Sequence, residues 1–118
     1  MIESADIREW RTRDVVDAEG RRIGSLESVY VDTATDEPAF VTVLVGLPTR
    51  HRLVFVPLAS AVVGPDYVKV AHPKALVKDG PSLGTDDVLP AEDEPALFAH
   101  FGLPYQPPAD GVRVLARR

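Results

Sequence analysis

Between Trp10 and Val70 the chain repeats one pattern: short runs of Val, Leu, Ile and Phe, each closed by a cluster of turn-forming residues. Apolar runs this short and this often interrupted predict consecutive strands rather than helices. Asp14 to Val16 is a first short strand. It is closed by the turn "DAEG", where the Asp17 side chain can bond its own backbone and Gly20 can take a positive φ. Arg22 to Val31 is the second strand. Its apolar residues Ile23, Leu26 and Val29 fall three apart instead of two, with Gly24 among them, which predicts a bend or bulge. Pro38 has no N–H to give a ladder and marks the start of a third strand. In "AFVTVLVG" Phe40, Thr42 and Leu44 point one way and Val41, Val43 and Val45 the other, so both faces are largely apolar. One face suits a barrel interior, and the other calls for cover by the C-terminal segment or a second subunit.

"LPTRHR" reads as the next turn, with Arg50, His51 and Arg52 at its tip. "LVFVPL" is the next strand, and "AVVGPDYVKV" makes two short strands around a Gly-Pro-Asp turn. About six short antiparallel strands at this spacing predict a mainly β fold, a small closed or partly open barrel that hides the edges a flat sheet would expose. This barrel is expected over residues 10–79, with an extension over 80–118.

After His72 the pattern changes. "PKALVKDG" supports a helical turn from Lys74 to Asp79, and "GPSLGTDD" reads as a loop. A short helix follows over about residues 90–101: Pro90 suits a first helical position, Glu92, Asp93 and Glu94 suit its positive end, and Gly102 with Pro104 stops it. Pro95 keeps that helix short. Leu97, Phe98 and Phe101 form one stripe that must be buried on the barrel or on a partner subunit, with Leu103 able to fold back past Gly102. "PYQPPADG" is expected to be extended, and "VRVLARR" can add an edge strand or fray.

Composition narrows the possible chemistry. The chain has no cysteine, which removes disulfides and thiolate metal sites. No apolar run approaches the roughly 20 residues of a membrane span, and "MIESADIREW" has neither the basic nor the apolar region of a secretion signal, so a cytoplasmic location is expected. The net charge of −5 is unevenly placed. Residues 1–78 are nearly neutral, with 10 Lys and Arg against 11 Asp and Glu. Residues 79–94 hold Asp79, Asp86, Asp87, Glu92, Asp93 and Glu94 with no base. A neutral barrel lacks the broad basic field on which nonspecific nucleic-acid binding depends, so nucleic acid is an unlikely partner.

The words "DVVDAEGRRIGSLESVYVD" and "VFVPLASAVV" together resemble the PRC-barrel family. Val15, Gly20, Ile23, Gly24, Leu26, Val29 and Asp32 fall where that family places them, as do Val56, Pro57 and Leu58 later, and the resemblance runs from about Trp10 to Asp79. The family's small β-barrel is shared by the cytoplasmic part of the photosynthetic reaction-centre H subunit and the C-terminal domain of the ribosome maturation factor RimM. "LPAEDEPALFAHFGL" is similar to a helix that follows the barrel in free-standing bacterial members. Because both relatives dock on larger assemblies, the resemblance implies protein–protein contact. The separate N-terminal domain of the maturation factor and the anchor of the H subunit are not expected here, so neither specific role carries over.

No catalytic pattern competes with that implication. His51, His72 and His100 have no second His or carboxylate at a ligand spacing and are expected as isolated surface residues. Asp32, Asp36 and Glu37 would put Glu37 and Val43 where a calcium loop needs Gly and Glu, so a solvated turn is expected. Ser25, Ser28 and Ser60 lie outside any nucleophile elbow. No cofactor, metal or catalytic residue is therefore expected. The candidate interaction surface is Trp10, Phe40, Arg50, His51, Arg52, Leu97, Phe98, Phe101 and Tyr105, its aromatic members serving helix-to-barrel packing or a subunit contact. The expected function is a non-enzymatic protein-interaction or assembly module, homodimeric. The alternatives are an accessory factor in ribosome or RNA assembly, which needs Arg21, Arg22, Arg50 and Arg52 on one surface, and a small-ligand barrel.

Overall fold

A computed structural model describes residues 10, 12–47, 50–81, 88–89, 91–105 and 115–117. Its strands are β1 (Asp14–Val16), β2 (Arg22–Asp32), β3 (Glu37–Leu47), β4 (Arg50–Pro57), β5 (Val62–Val63), β6 (Tyr67–Lys69), β7 (Val88–Leu89) and β8 (Leu115–Arg117). Two short helices, α1 (Lys74–Lys78) and α2 (Glu94–His100), complete it, the second preceded by a 3-10 turn at Ala91–Asp93. The first six strands lie where the apolar runs predict, within a residue or two at their ends except β4, which begins three residues earlier than "LVFVPL".

These strands pair in the order β4-β3-β2-β1-β6-β5, while β8 joins β2 and β7 joins β8. The two ends of that ladder, β4 and β5, are joined by residues 58–61 alone. So short a link reaches at most about 17 Å. Six strands laid flat would set their outer members about 24 Å apart. The sheet must therefore curl until its edges approach, giving a small barrel whose β4/β5 seam is not closed by hydrogen bonds. Every pairing is antiparallel except β1 with β6, which run parallel because the chain crosses the open seam before it returns beside β1.

β2 is the spine, because it fills both its edges along most of its length. One edge pairs with β3 from Ser25↔Leu44 to Asp32↔Glu37. The other takes β1 along its first half and β8 along its second, where Tyr30, Val31 and Asp32 face Arg117, Ala116 and Leu115. The irregularity foreseen from the spacing of Ile23, Leu26 and Val29 is a bulge at Glu27, since Leu26↔Val43 is followed by Ser28↔Thr42. Gly24 serves a different end: a Cβ there would lie 2.9 Å from Val43 Cγ1 and inside the contact distance of the Leu44 carbonyl oxygen. It is glycine because β3 passes directly over it.

Both faces of β3 are covered, as its pattern requires. Phe40, Val41, Thr42, Val43 and Val45 are all buried. Cover on the Phe40 side comes from the same chain: the Phe98 ring of α2 meets Phe40 edge to face at 5.4 Å. α2 ends as read. Gly102 takes φ +67°, and the Leu103 amide returns to the Phe98 carbonyl at 2.9 Å, which brings Leu103 back onto the core.

The extension beyond residue 79 thus contributes to the same sheet through β7 and β8, raising the strand total above six. β7 is too short to give a period, and its two residues pair only with β8. Arg50, His51 and Arg52 do not sit at a turn tip. They are the first residues of β4, paired with Leu47, Gly46 and Val45, because the hairpin link is shorter than the turn read from "LPTRHR". The readings made at 1–9, at 82–87, at Pro90 and at 106–114 lie outside the described residues.

Candidate interaction surface

The expected interaction set divides on folding. Trp10, Phe40, Leu97 and Phe101 are buried in the core of the single chain. Phe98 and Tyr105 are half-buried and stack edge to face at 5.0 Å, continuing outward the contact that Phe98 makes with Phe40. His51 and Arg52 are exposed. The Arg50 side chain lies outside what is described.

The hairpin geometry gives His51 and Arg52 their setting. β2 and β3 pair only from Ser25↔Leu44 onward, whereas β3 and β4 continue for Val45↔Arg52, Gly46↔His51 and Leu47↔Arg50. No β2 residue pairs with β3 at these last rungs among the described residues. Along "RHRLVFVPL" the side chains change from exposed His51 and Arg52 through half-buried Leu53 to a buried run from Val54 to Leu58. The hairpin is therefore rooted in the core at one end, and at the other, its arm, β4 presents the exposed polar side chains His51 and Arg52 opposite Gly46 and buried Val45. Phe40 and Gly46 are six strand residues apart, about 20 Å. The aromatic pair and the arm are consequently two separate patches.

At the Glu27 bulge the structure assembles a polar cluster that the sequence pattern does not announce. Oε1 of Glu27 accepts the Thr42 hydroxyl at 2.9 Å, and Oε2 accepts the Ser28 hydroxyl at 2.7 Å and the Arg117 guanidinium of β8. Ser28 and Thr42 are fully buried, and their hydroxyls are engaged by the carboxylate. The cluster is suited to fastening β8 onto β2, a structural task.

Asp17 fastens the opposite side. Its Oδ1 accepts the Glu19 and Arg21 amides at 2.9 Å each, and its Oδ2 accepts the Lys74 amide at 3.3 Å, tying the β1–β2 turn to the start of α1. Burial works against its charge, but the three amides and the Arg21 guanidinium outweigh that and hold its carboxyl below the usual carboxylate value.

The histidines are not all isolated surface residues. His72 and His100 are half-buried on the same aromatic ring, with centroids 4.8 and 4.9 Å from that of Phe101. His100 Nε2 lies 2.7 Å from the Leu76 carbonyl, and since a carbonyl only accepts, the ring nitrogen donates. Their separation of 28 positions in sequence hides this pairing. Among the described residues no three His, Cys, Asp or Glu side chains gather as a metal site, and no helix is long and apolar enough to cross a membrane.

A curled sheet with a short helix packed on it defines a small β-barrel module. The PRC-barrel domain model matches residues 3–77, and the chain belongs to the PRC-barrel family. No curated protein matches it.

Proposed function

We propose that this chain is a non-enzymatic protein-interaction module of the cytoplasm that docks on a larger assembly through the arm of the β3–β4 hairpin. The observation that supports this reading is the end of the hairpin itself: rungs of β3 and β4 beyond the last β2–β3 pair, with His51 and Arg52 exposed on the β4 side while Val45 anchors the β3 side in the core. Exposed polar side chains on an anchored strand serve contact more readily than stability. Val62, 56% exposed, is the one large apolar side chain exposed among the described residues, which supports a polar, reversible contact over an obligate apolar one.

The homodimer expected from the apolar faces of β3 loses its main motive, since α2 covers the Phe40 side within the chain. An accessory role in RNA assembly has partial support, because the strand register puts Arg21 and Arg22 toward the same end of the sheet as the arm. Against it, Arg21 pairs with Glu19 at 3.3 Å and Arg22 with Asp14 at 2.9 Å, which reduces the field offered to phosphate. A ligand barrel has least support, as side chains from both faces of β2, β3 and β4 fill the core.

The test is quantitative capture from native lysate with the tagged chain and with its His51→Glu/Arg52→Glu variant, alongside light scattering of both. Proteins captured by the first and lost by the second support the reading. Capture that the charge reversal leaves unchanged overturns it, and a salt-sensitive RNA fraction in its place points to the accessory role.

A further inference from the structure

The contact between the two helices is built from titratable rings. Phe101, at the end of α2, is buried, and its two nearest aromatic neighbours are imidazoles. His72 comes from the segment between β6 and α1, and His100 is the last residue of α2. His100 also supplies the hydrogen bond that joins the helices, from Nε2 to the Leu76 carbonyl of α1. Gly80 closes the site from a third direction: a Cβ there would sit 3.7 Å from the His100 ring.

The charges around this site are unbalanced. The segment after His72 carries Lys74, Lys78 and Asp79, and α2 with its preceding turn carries Glu92, Asp93 and Glu94. Asp17 reaches this region too, with its carboxylate held by backbone amides. Of these charged groups none acts appreciably on His72; burial and electrostatic repulsion from the His100 ring do, and both favour the neutral form of His72. No carboxylate is among the groups that act on His72.

We propose that His72 and His100 form an acid-operated latch, which holds α2 against α1 and the barrel when His72 is neutral and loosens α2 when both rings are charged. Two imidazolium ions on either side of one buried phenyl ring repel each other and lose hydration they would recover on opening. Since α2 carries Phe98, its release uncovers Phe40 and the buried side of the sheet. The unfolded value for histidine is 6.5 and His72 lies below it when folded. The closed state therefore holds more firmly above that pH and weakens as pH falls below it.

Amide hydrogen exchange decides the matter when each rate is divided by its intrinsic value at the same pH. Between pH 7.5 and 5.5 the amides of Leu97, Phe98 and Phe101 lose protection while those of Val29, Tyr30 and Val31 in β2 keep theirs. The His72→Phe/His100→Gln variant keeps an aromatic contact and an N–H donor without the charge, and its α2 stays protected at both values. Equal protection of wild-type α2 at both values overturns the proposal, as does an unchanged pH response in the variant. If the variant does not fold, the wild type still decides: loss confined to α2 supports the latch, and loss shared equally with β2 contradicts it.

Discussion

Glu27 and Arg117 stand 90 positions apart and form an ion pair at the bulge of β2. Through it the last described strand is fixed to the spine of the barrel, beside a ladder of only three residue pairs. Removing the guanidinium leaves a partly buried carboxylate with two hydroxyl donors. Arg117→Ala is expected to cost about 1–2 kcal/mol in urea unfolding. Glu27→Ala costs more, because it also takes the carboxylate from the buried hydroxyls of Ser28 and Thr42 and leaves Thr42 only its 3.4 Å bond to the Ser28 carbonyl. Equal stability of both variants and wild type would remove the fastening role.

The two glycines of the opening β-unit, Gly20 in the turn and Gly24 within β2, separate by mechanism. At Gly24 an added methyl meets β3 backbone, so Gly24→Ala is expected to cost about 3 kcal/mol. At Gly20 the space is open and only the φ of +85° opposes a side chain, so Gly20→Ala costs about 1 kcal/mol. Denaturant midpoints of the pair check the order, and the reverse order contradicts the packing described.

How much of this was legible beforehand depends on whether a feature was local. The alternation of Phe40 to Val45 announces a strand covered on both faces, and Gly102 before Pro104 announces a helix stop, because each depends on neighbours along the chain. The spacing of Ile23, Leu26 and Val29 signals a bulge, but the extra residue is Glu27, fixed by register with β3. Glu27 with Arg117, Asp17 with Lys74, and His72 with His100 come together only through tertiary contacts over long separations. No period or motif encodes such pairs. The arm was misplaced for a related reason: three polar residues read as a turn, whereas cross-strand pairing with Val45 to Leu47 keeps them extended.

Asp17 makes stability depend on acid. Its folded carboxyl titrates below the usual 3.8, so it contributes stability above that value and loses it as pH falls through the lower, folded value. Thermal melts from pH 5 to pH 2 are expected to show a steeper loss for the wild type than for Asp17→Asn, which cannot ionise. Parallel curves would mean that the three amide contacts do not favour the charged form.

Phe98 covers Phe40 and supports Tyr105. Phe98→Ala is expected to lose about 2 kcal/mol of stability, less than a fully buried ring because Phe98 is half-buried. The newly bared Phe40 face should raise binding of an apolar dye at neutral pH. A variant that neither melts earlier nor binds dye would show that α2 is not the cover of β3.

The central claim is that the β3–β4 arm makes the contact by which this module works. Its most direct measurement places a photo-crosslinking residue at His51, and for comparison at exposed Val62, in the chain expressed in its native cells. The account predicts discrete crosslinked products at position 51 that are absent at position 62 and vanish when Arg52 is replaced by Glu. Products that are the same at both positions, or that survive the Arg52→Glu change, would contradict it.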